Sequence, residues 1–244
     1  MQSKIIFRPG PGSPDILAEL KKVESIDRST KLYKYLPRKY ADMLLRDGST
    51  RVGTLFDFRR EELGKGIADP EEGVLRLTHE MRGANHFKKA SPEADALKLL
   101  GFGLAGDATI QDIAITRQID HPDVYVWCCA GELSRDVMAG LEGSEVCVEI
   151  TNAGEFFDAL TRAMNALVPV EFLGFRNVDY VPRDQRWDGM TLGQSAAFVK
   201  EPGAYGVQKE VRAVWRAVDG GALTPKFPKS EDLIQWCREA DVPK

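Results

Sequence analysis

Period-two and period-3.6 alternation of apolar and polar positions divides the chain into short elements. KLYKYL reads as a strand rich in Tyr and Leu, and PRKYADMLLRDG as a helix with Tyr40, Met43 and Leu44 on one face and Gly48 at its end. STRVGTLFDF predicts a strand, followed by a charged, glycine-containing loop, RREELGKGIADPEEG, with about one helical turn. VLRLTHE, TIQDIAIT, VYVWCCA and EVCVEIT alternate as strands, with a short helix in GELSRDVMAGL. Ser91-Pro92-Glu93 opens a helix that Gly101 stops, and Asn152 caps EFFDALTRAMNAL, which carries Phe156, Leu160, Met164 and Leu167 on one face. EFLGFRNVDYV and SAAFVK are read as further strands. In YGVQKEVRAVW, read as strand throughout, Val207, Val211, Ala213 and Trp215 share one side while Gln208, Glu210 and Arg212 share the other.

Terminal helices complete the reading, one over 13–26 behind the Ser13-Pro14-Asp15 start and one over 230–240 capped by Ser230. About eight strands with helices out of strict alternation predict an α+β fold with a mainly antiparallel central sheet, continuous or split, flanked by helices. With no repeat or Pro/Gly/Ser linker in its 244 residues, the chain reads as a single domain with its core over 31–216.

Hydrophobic content of 43% and charged content of 29% are those of a globular protein, and no apolar run is long enough to span a bilayer. The opening MQSKIIFRPGPGSPD lacks the apolar stretch of a secretory signal, so the expectation is a cytoplasmic protein without a membrane partner. Cys128, Cys129, Cys147 and Cys237 are too irregular for a disulfide framework and read as buried free thiols. His79, His86 and His121 supply no usual ligand spacing, so no metal is expected. A net charge of −4 argues against a dedicated nucleic-acid binder, yet Asp27–Arg60 holds nine basic residues against four acidic ones. Such a run is either a solvated face or a place where phosphate is held.

The glycines at 101, 103 and 106 spell G-x-G-x-x-G, but they follow a helix and precede strand-like residues, the reverse of a dinucleotide site. A nucleophilic Cys129 is disfavoured by its apolar setting. Three pieces remain: the aromatic and basic stretch from Leu32 to Glu61, the acidic turn IADPEEG, and the Gln208/Glu210 pair. Two residues apart on a strand, Gln208 and Glu210 address one ligand together. A carboxylate there suits a ribose hydroxyl and the positive charge of an oxocarbenium ion, and the amide suits an incoming nucleophile. Lys34, Arg51 and Arg59 suit a pyrophosphate, Tyr33 or Tyr35 a planar base, and Tyr205 either packs or lines the pocket. The competing expectation is that Glu210 pairs with Arg212, and that Arg51 and Arg59 pair with Glu62, Asp69 or Glu72 to order the loop.

The succession of LYKY, RVGTLFDFRREE, VWCCAGEL, VCVEI and YGVQKEVRAVW resembles a group of uncharacterised bacterial and phage proteins that open with L-Y-K-Y and end in a strand with an aromatic residue and E-x-R. That layout is similar to the ADP-ribosyltransferase fold, in which a first strand carries His or Arg in an L-Y-H/R setting and a late strand carries Q/E-x-E. The matching positions are Leu32-Tyr33-Lys34 and Gln208-Lys209-Glu210. Lys34 stands where the fold has His or Arg, and Thr151 is the nearest stand-in for its Ser-Thr-Ser motif. The resemblance implies NAD as ligand, transfer or hydrolysis at the ribose, a protein, nucleic acid or water as acceptor, and a role as a bacterial toxin or phage-conflict effector. The alternative is a non-enzymatic module that binds a protein or nucleic-acid partner through its basic segment and the 59–73 loop.

Overall fold

The computed structural model describes residues 3–7, 26–187 and 195–243, with only the backbone of residues 3–7. The helix expected over 13–26 lies, apart from Ile26, outside these. The chain is α+β and its sheets are mostly antiparallel. It divides into two compact units, one built on Gly73–Pro122 and Val181–Val199, the other on Leu20–Glu72, Asp123–Tyr180 and Lys200–Lys244, each over its described residues.

The first unit is a four-stranded sheet around the long hairpin of Val74–Phe87 and Ala108–Asp120, with Ser3–Phe7 and Asp184–Arg186 added in parallel at its edges. VLRLTHE is therefore only the first half of its strand. Leu75, Leu77, Ile115 and Ile119 form its core with Leu97 and Leu100, the latter two brought in by the Pro92–Leu99 helix and the turn after it. That helix starts as expected: the Ser91 hydroxyl accepts from the Ala94 N–H at 3.2 Å.

The second unit is a seven-stranded sheet. Six of its strands run in the order Cys237–Ala240, Val146–Ile150, Leu32–Leu36, Tyr125–Ala130, Glu210–Ala217 and Val170–Asn177, every neighbour antiparallel. Against one face lies the helix Ala153–Asn165, started by the Asn152 side chain, which accepts from the Glu155 N–H. It buries Phe156, Phe157, Leu160 and Met164 completely against Trp127, Phe175, Val211, Ala213 and Trp215. At about 25 cal/mol per Å², such aromatic burial dominates the unit's stability. Leu167, expected on the same face, is exposed just past the helix end.

Three elements differ from expectation. STRVGTLFDF pairs as strand only over Gly53–Thr54, with flanking bridges from Ser49 and Val52, and Asp57–Arg59 turns as a 3-10 helix because the Thr54 hydroxyl accepts from the Asp57 N–H. SAAFVK is a 3-10 turn over Ala196–Phe198 and extended only at Val199–Lys200. The expected 230–240 helix is a 3-10 segment, Glu231–Trp236, followed by the edge strand Cys237–Ala240. Ser230 does cap the turn, but pairing with Val146–Ile150 supplies backbone partners that a helix would otherwise provide.

The sheet has a seam. Leu32–Leu36 matches five residues of Val146–Ile150, yet meets its other neighbour, Tyr125–Ala130, in the single pair Tyr33 with Ala130. Beyond that pair the two strands diverge.

Candidate functional site

A cavity of about 430 Å³ lies along this seam, a size ordinary for a small-molecule site. Its walls come from both strands at the seam (Tyr33, Lys34, Tyr35; Trp127, Cys128, Ala130), from the helix face at Tyr40 and Met43, from the 58–72 loop, and from the start of the terminal strand. Lys34 fills the gap that the diverging strands leave. Its ammonium donates to the Cys128 carbonyl and lies 4.8 Å from the centre of the Trp127 ring. Burial pushes its amine below the ordinary lysine range.

Glu210 is the first residue of the strand Glu210–Ala217, whose alternation sends Val211, Ala213 and Trp215 into the apolar core. Glu210 and Arg212 leave on the opposite side. They do not meet water: each is buried, in a four-membered ionic cluster with Glu72 and Lys200. Arg212 Nε donates to Glu210 Oε1 at 2.8 Å, and its two terminal nitrogens fork onto Glu72 at 2.9 and 3.2 Å. Lys200 Nζ stands 2.7 Å from Glu210 Oε2 and 3.8 Å from Glu72. Burial works to raise the Glu210 pKa, but Arg212 and Lys200 together hold it down at about 2. The carboxylate is therefore ionised at neutral pH. The expected pairing with Arg212 is present, with a hollow beside it.

Gln208 reaches the cavity by a different route from the one expected. It is not on the strand. Gly206–Gln208 is a 3-10 turn, and Lys209 takes a left-handed conformation (φ 47°) that resets the chain before Glu210. The amide Nε2 donates to the Gly66 carbonyl at 2.5 Å, and Oε1 makes no hydrogen bond among the described residues. Gly66 itself has φ +83°, and a Cβ there would lie 2.1 Å from the Gly140 carbonyl, so only glycine lets the loop approach so closely.

The remaining candidates separate into two groups. Tyr33, Tyr35 and Arg51 line the cavity. Tyr35 is fixed there, its hydroxyl donating to the Glu132 carbonyl and accepting from the Ser134 N–H; burial pushes its pKa up to about 12 against the opposing effect of the Ser134 contact. Arg51 is paired with Asp57, not with the Glu62, Asp69 or Glu72 expected. Arg59 and Tyr205 are not on the cavity wall. Arg59 lies over the Phe56 ring at 4.1 Å and donates to the Glu72 carbonyl. Tyr205 supports Lys200 across its ring at 4.8 Å and donates to the Ala68 carbonyl. Both are assigned to loop packing. Thr151 bonds the Trp236 carbonyl.

Glu72, Lys200 and Tyr180, whose hydroxyl accepts from the Glu210 N–H at 2.7 Å, are the residues that sequence reasoning missed. Their one signal is position, since Glu72 and Lys200 are charges at the edges of apolar runs. Among the described residues the cysteines are unpaired, and desolvation first of all pushes the Cys128 thiol up to about 12 and the Cys129 thiol well above its usual range. Neither is an activated nucleophile. No cluster of three or more metal-ligating side chains occurs among the described residues, and none of their helices is long and apolar enough to cross a membrane. Compared with protein-family models, curated proteins and solved structures, the chain finds no match in any of the three.

Proposed function

We propose that the seam cavity binds a nucleotide such as NAD and that the protein acts at the ribose C1 position, as an ADP-ribosyltransferase or NAD glycohydrolase on an ADP-ribosyltransferase-like arrangement of strands. The observation that carries this reading is an ionised carboxylate, Glu210, in a cavity that also holds Gln208, Tyr33, Tyr35, Lys34 and Arg51. A carboxylate kept charged in a site largely closed to water offsets a developing oxocarbenium charge far better than one in bulk solvent. Each Glu210 oxygen has one cationic donor and keeps acceptor capacity for a ribose hydroxyl. Gln208 Oε1 is an acceptor for the proton of an incoming water or alcohol. Tyr33 and Tyr40 offer faces for a base, and Lys34 is the cationic group toward phosphate, with Arg51 on the same lining but paired with Asp57. A role as a toxin or phage-conflict effector follows from the sequence resemblance.

The non-enzymatic reading has less support. Arg60 is engaged by Asp57 and Glu62, and Arg28, Lys31 and Arg38 by Asp158, Glu149 and Glu239, so the basic excess is largely answered by acids from elsewhere.

The test is incubation with labelled NAD, with and without cell extract as acceptor source, following nicotinamide release and labelled product. The wild type releases nicotinamide, and Glu210→Gln reduces the rate about 100-fold or more. Because Glu210 is part of a buried cluster, Gln208→Ala is run beside it; it keeps the cluster and lowers transfer. Absence of release by the wild type under both conditions rejects the reading, and a biological effect lost only on charge reversal at Arg59 and Arg60 favours the interaction module.

A further inference from the structure

Four cationic side chains line the cavity: Lys34, Arg51, Lys200 and Arg212. Three are committed. Lys200 and Arg212 are neutralised by Glu72 and Glu210 within the buried cluster, and Arg51 by Asp57. Lys34 is the exception. It has no carboxylate partner among the described residues; its contacts are one carbonyl and one aromatic face. This half-buried ammonium has dipoles as its direct contacts and feels the Glu210 carboxylate only beyond ion-pair distance, and burial lowers its pKa. Glu142, the remaining unpaired acid nearby, is exposed and accepts from the Lys65 N–H, so its charge is dispersed into solvent.

Resting on the nucleotide reading above, we infer that the cavity is built for a ligand bearing one phosphate, a nucleoside monophosphate or the mononucleotide half of a larger molecule, with that phosphate at Lys34. Among the described residues that line the cavity, Lys34 is the one cation without a carboxylate partner, and it matches a single anionic group. A second phosphate would meet arginine and lysine groups already neutralised and the carboxylates that neutralise them. The cavity mouth fits the other end of such a ligand, since Tyr40 and Phe227, 45% and 53% exposed, are large aromatic side chains on the lining that remain open to solvent. Base stacking covers such surfaces.

Calorimetric titration with two series of probes tests this: adenosine, AMP and ADP; and nicotinamide riboside, nicotinamide mononucleotide and NAD. The monophosphate of at least one series binds about tenfold or more tighter than its nucleoside, as a charge-assisted contact requires, and the second phosphate of ADP adds less than threefold. Lys34→Met and Lys34→Gln both erase the gain from the first phosphate and leave nucleoside affinity unchanged, whereas Arg51→Gln retains the gain. The inference is overturned, with the nucleotide reading intact, if either Lys34 variant keeps the gain or if ADP binds tenfold tighter than AMP. If no member of either series binds, the nucleotide reading falls and takes the inference with it.

Discussion

The two sides of the strand Glu210–Ala217 are built on opposite physics. On one, Val211, Ala213 and Trp215 meet Phe157 and Phe175 with no polar obligation except the Trp215 indole N–H, which Thr161 accepts at 2.8 Å. On the other, Glu210 and Arg212 are equally shut off from solvent but are held by two further ions. The apolar side needs only volume and shape, and many sequences satisfy it. The ionic side needs four charged groups placed together at a large desolvation cost, and a hydrophobic filling of the same volume would serve stability as well or better. Under the proposed function, the ionised Glu210 is the use for this costlier version. That contrast is why the site is assigned to the ionic side.

The contrast breaks down if the apolar side is not the stronger support. Trp215→Ala should cost about 4 kcal/mol in urea unfolding, through lost burial, while the Thr161 hydroxyl keeps its bond to the Phe157 carbonyl; a loss under about 1 kcal/mol would contradict the packing described. Next in size, Lys200→Met should cost about 3 kcal/mol because it leaves the cluster with an excess negative charge. Adding Glu72→Leu, which returns the remaining Glu210 and Arg212 to neutrality, should recover at least half of that. If the double variant is no better than the sum of its parts, the cluster does not act as one unit.

The smallest effect is the pH response. Glu210 has its folded pKa lowered to about 2 from an ordinary 4.5, so its ion pairing adds stability in full above pH 4.5, and the contribution is lost as pH falls from there toward 2. Wild type should therefore lose stability more steeply than Glu210→Gln between pH 4.5 and 2. Equal slopes would place the acid's pairing partners elsewhere.

Much of this architecture was legible locally. Asn152 and Ser91 announced their helices because a cap satisfies donors within three residues of itself, and Gly48 ends its helix with φ 59° as a left-handed stop. The same strand reading placed Val211, Ala213 and Trp215 inside. It failed at Gln208 because period two was extended through Tyr205–Lys209, where Pro202 and two glycines begin tight turns and Lys209 reverses the backbone. It also took the polar side of the strand for a choice between water and ligand. Burial of that side depends on Glu72, which is 140 residues away from Arg212, and on Lys200. Local pattern carries no information on such a pairing, whereas caps and alternation are written within one or two turns.

The seam has one more consequence. A sheet resists prying because each added residue pair along a ladder must be unzipped, but here, among the described residues, Tyr33 and Ala130 are the one pair in register between the strands Leu32–Leu36 and Tyr125–Ala130. The halves remain joined through one core, which Leu32, Val148 and Ile150 share with Trp127, Phe156 and Phe157, and through the Tyr35 hydroxyl, so any give at the seam is local to the cavity. At that point the Cys128 carbonyl is answered by a lysine side chain where a regular ladder would offer a backbone N–H.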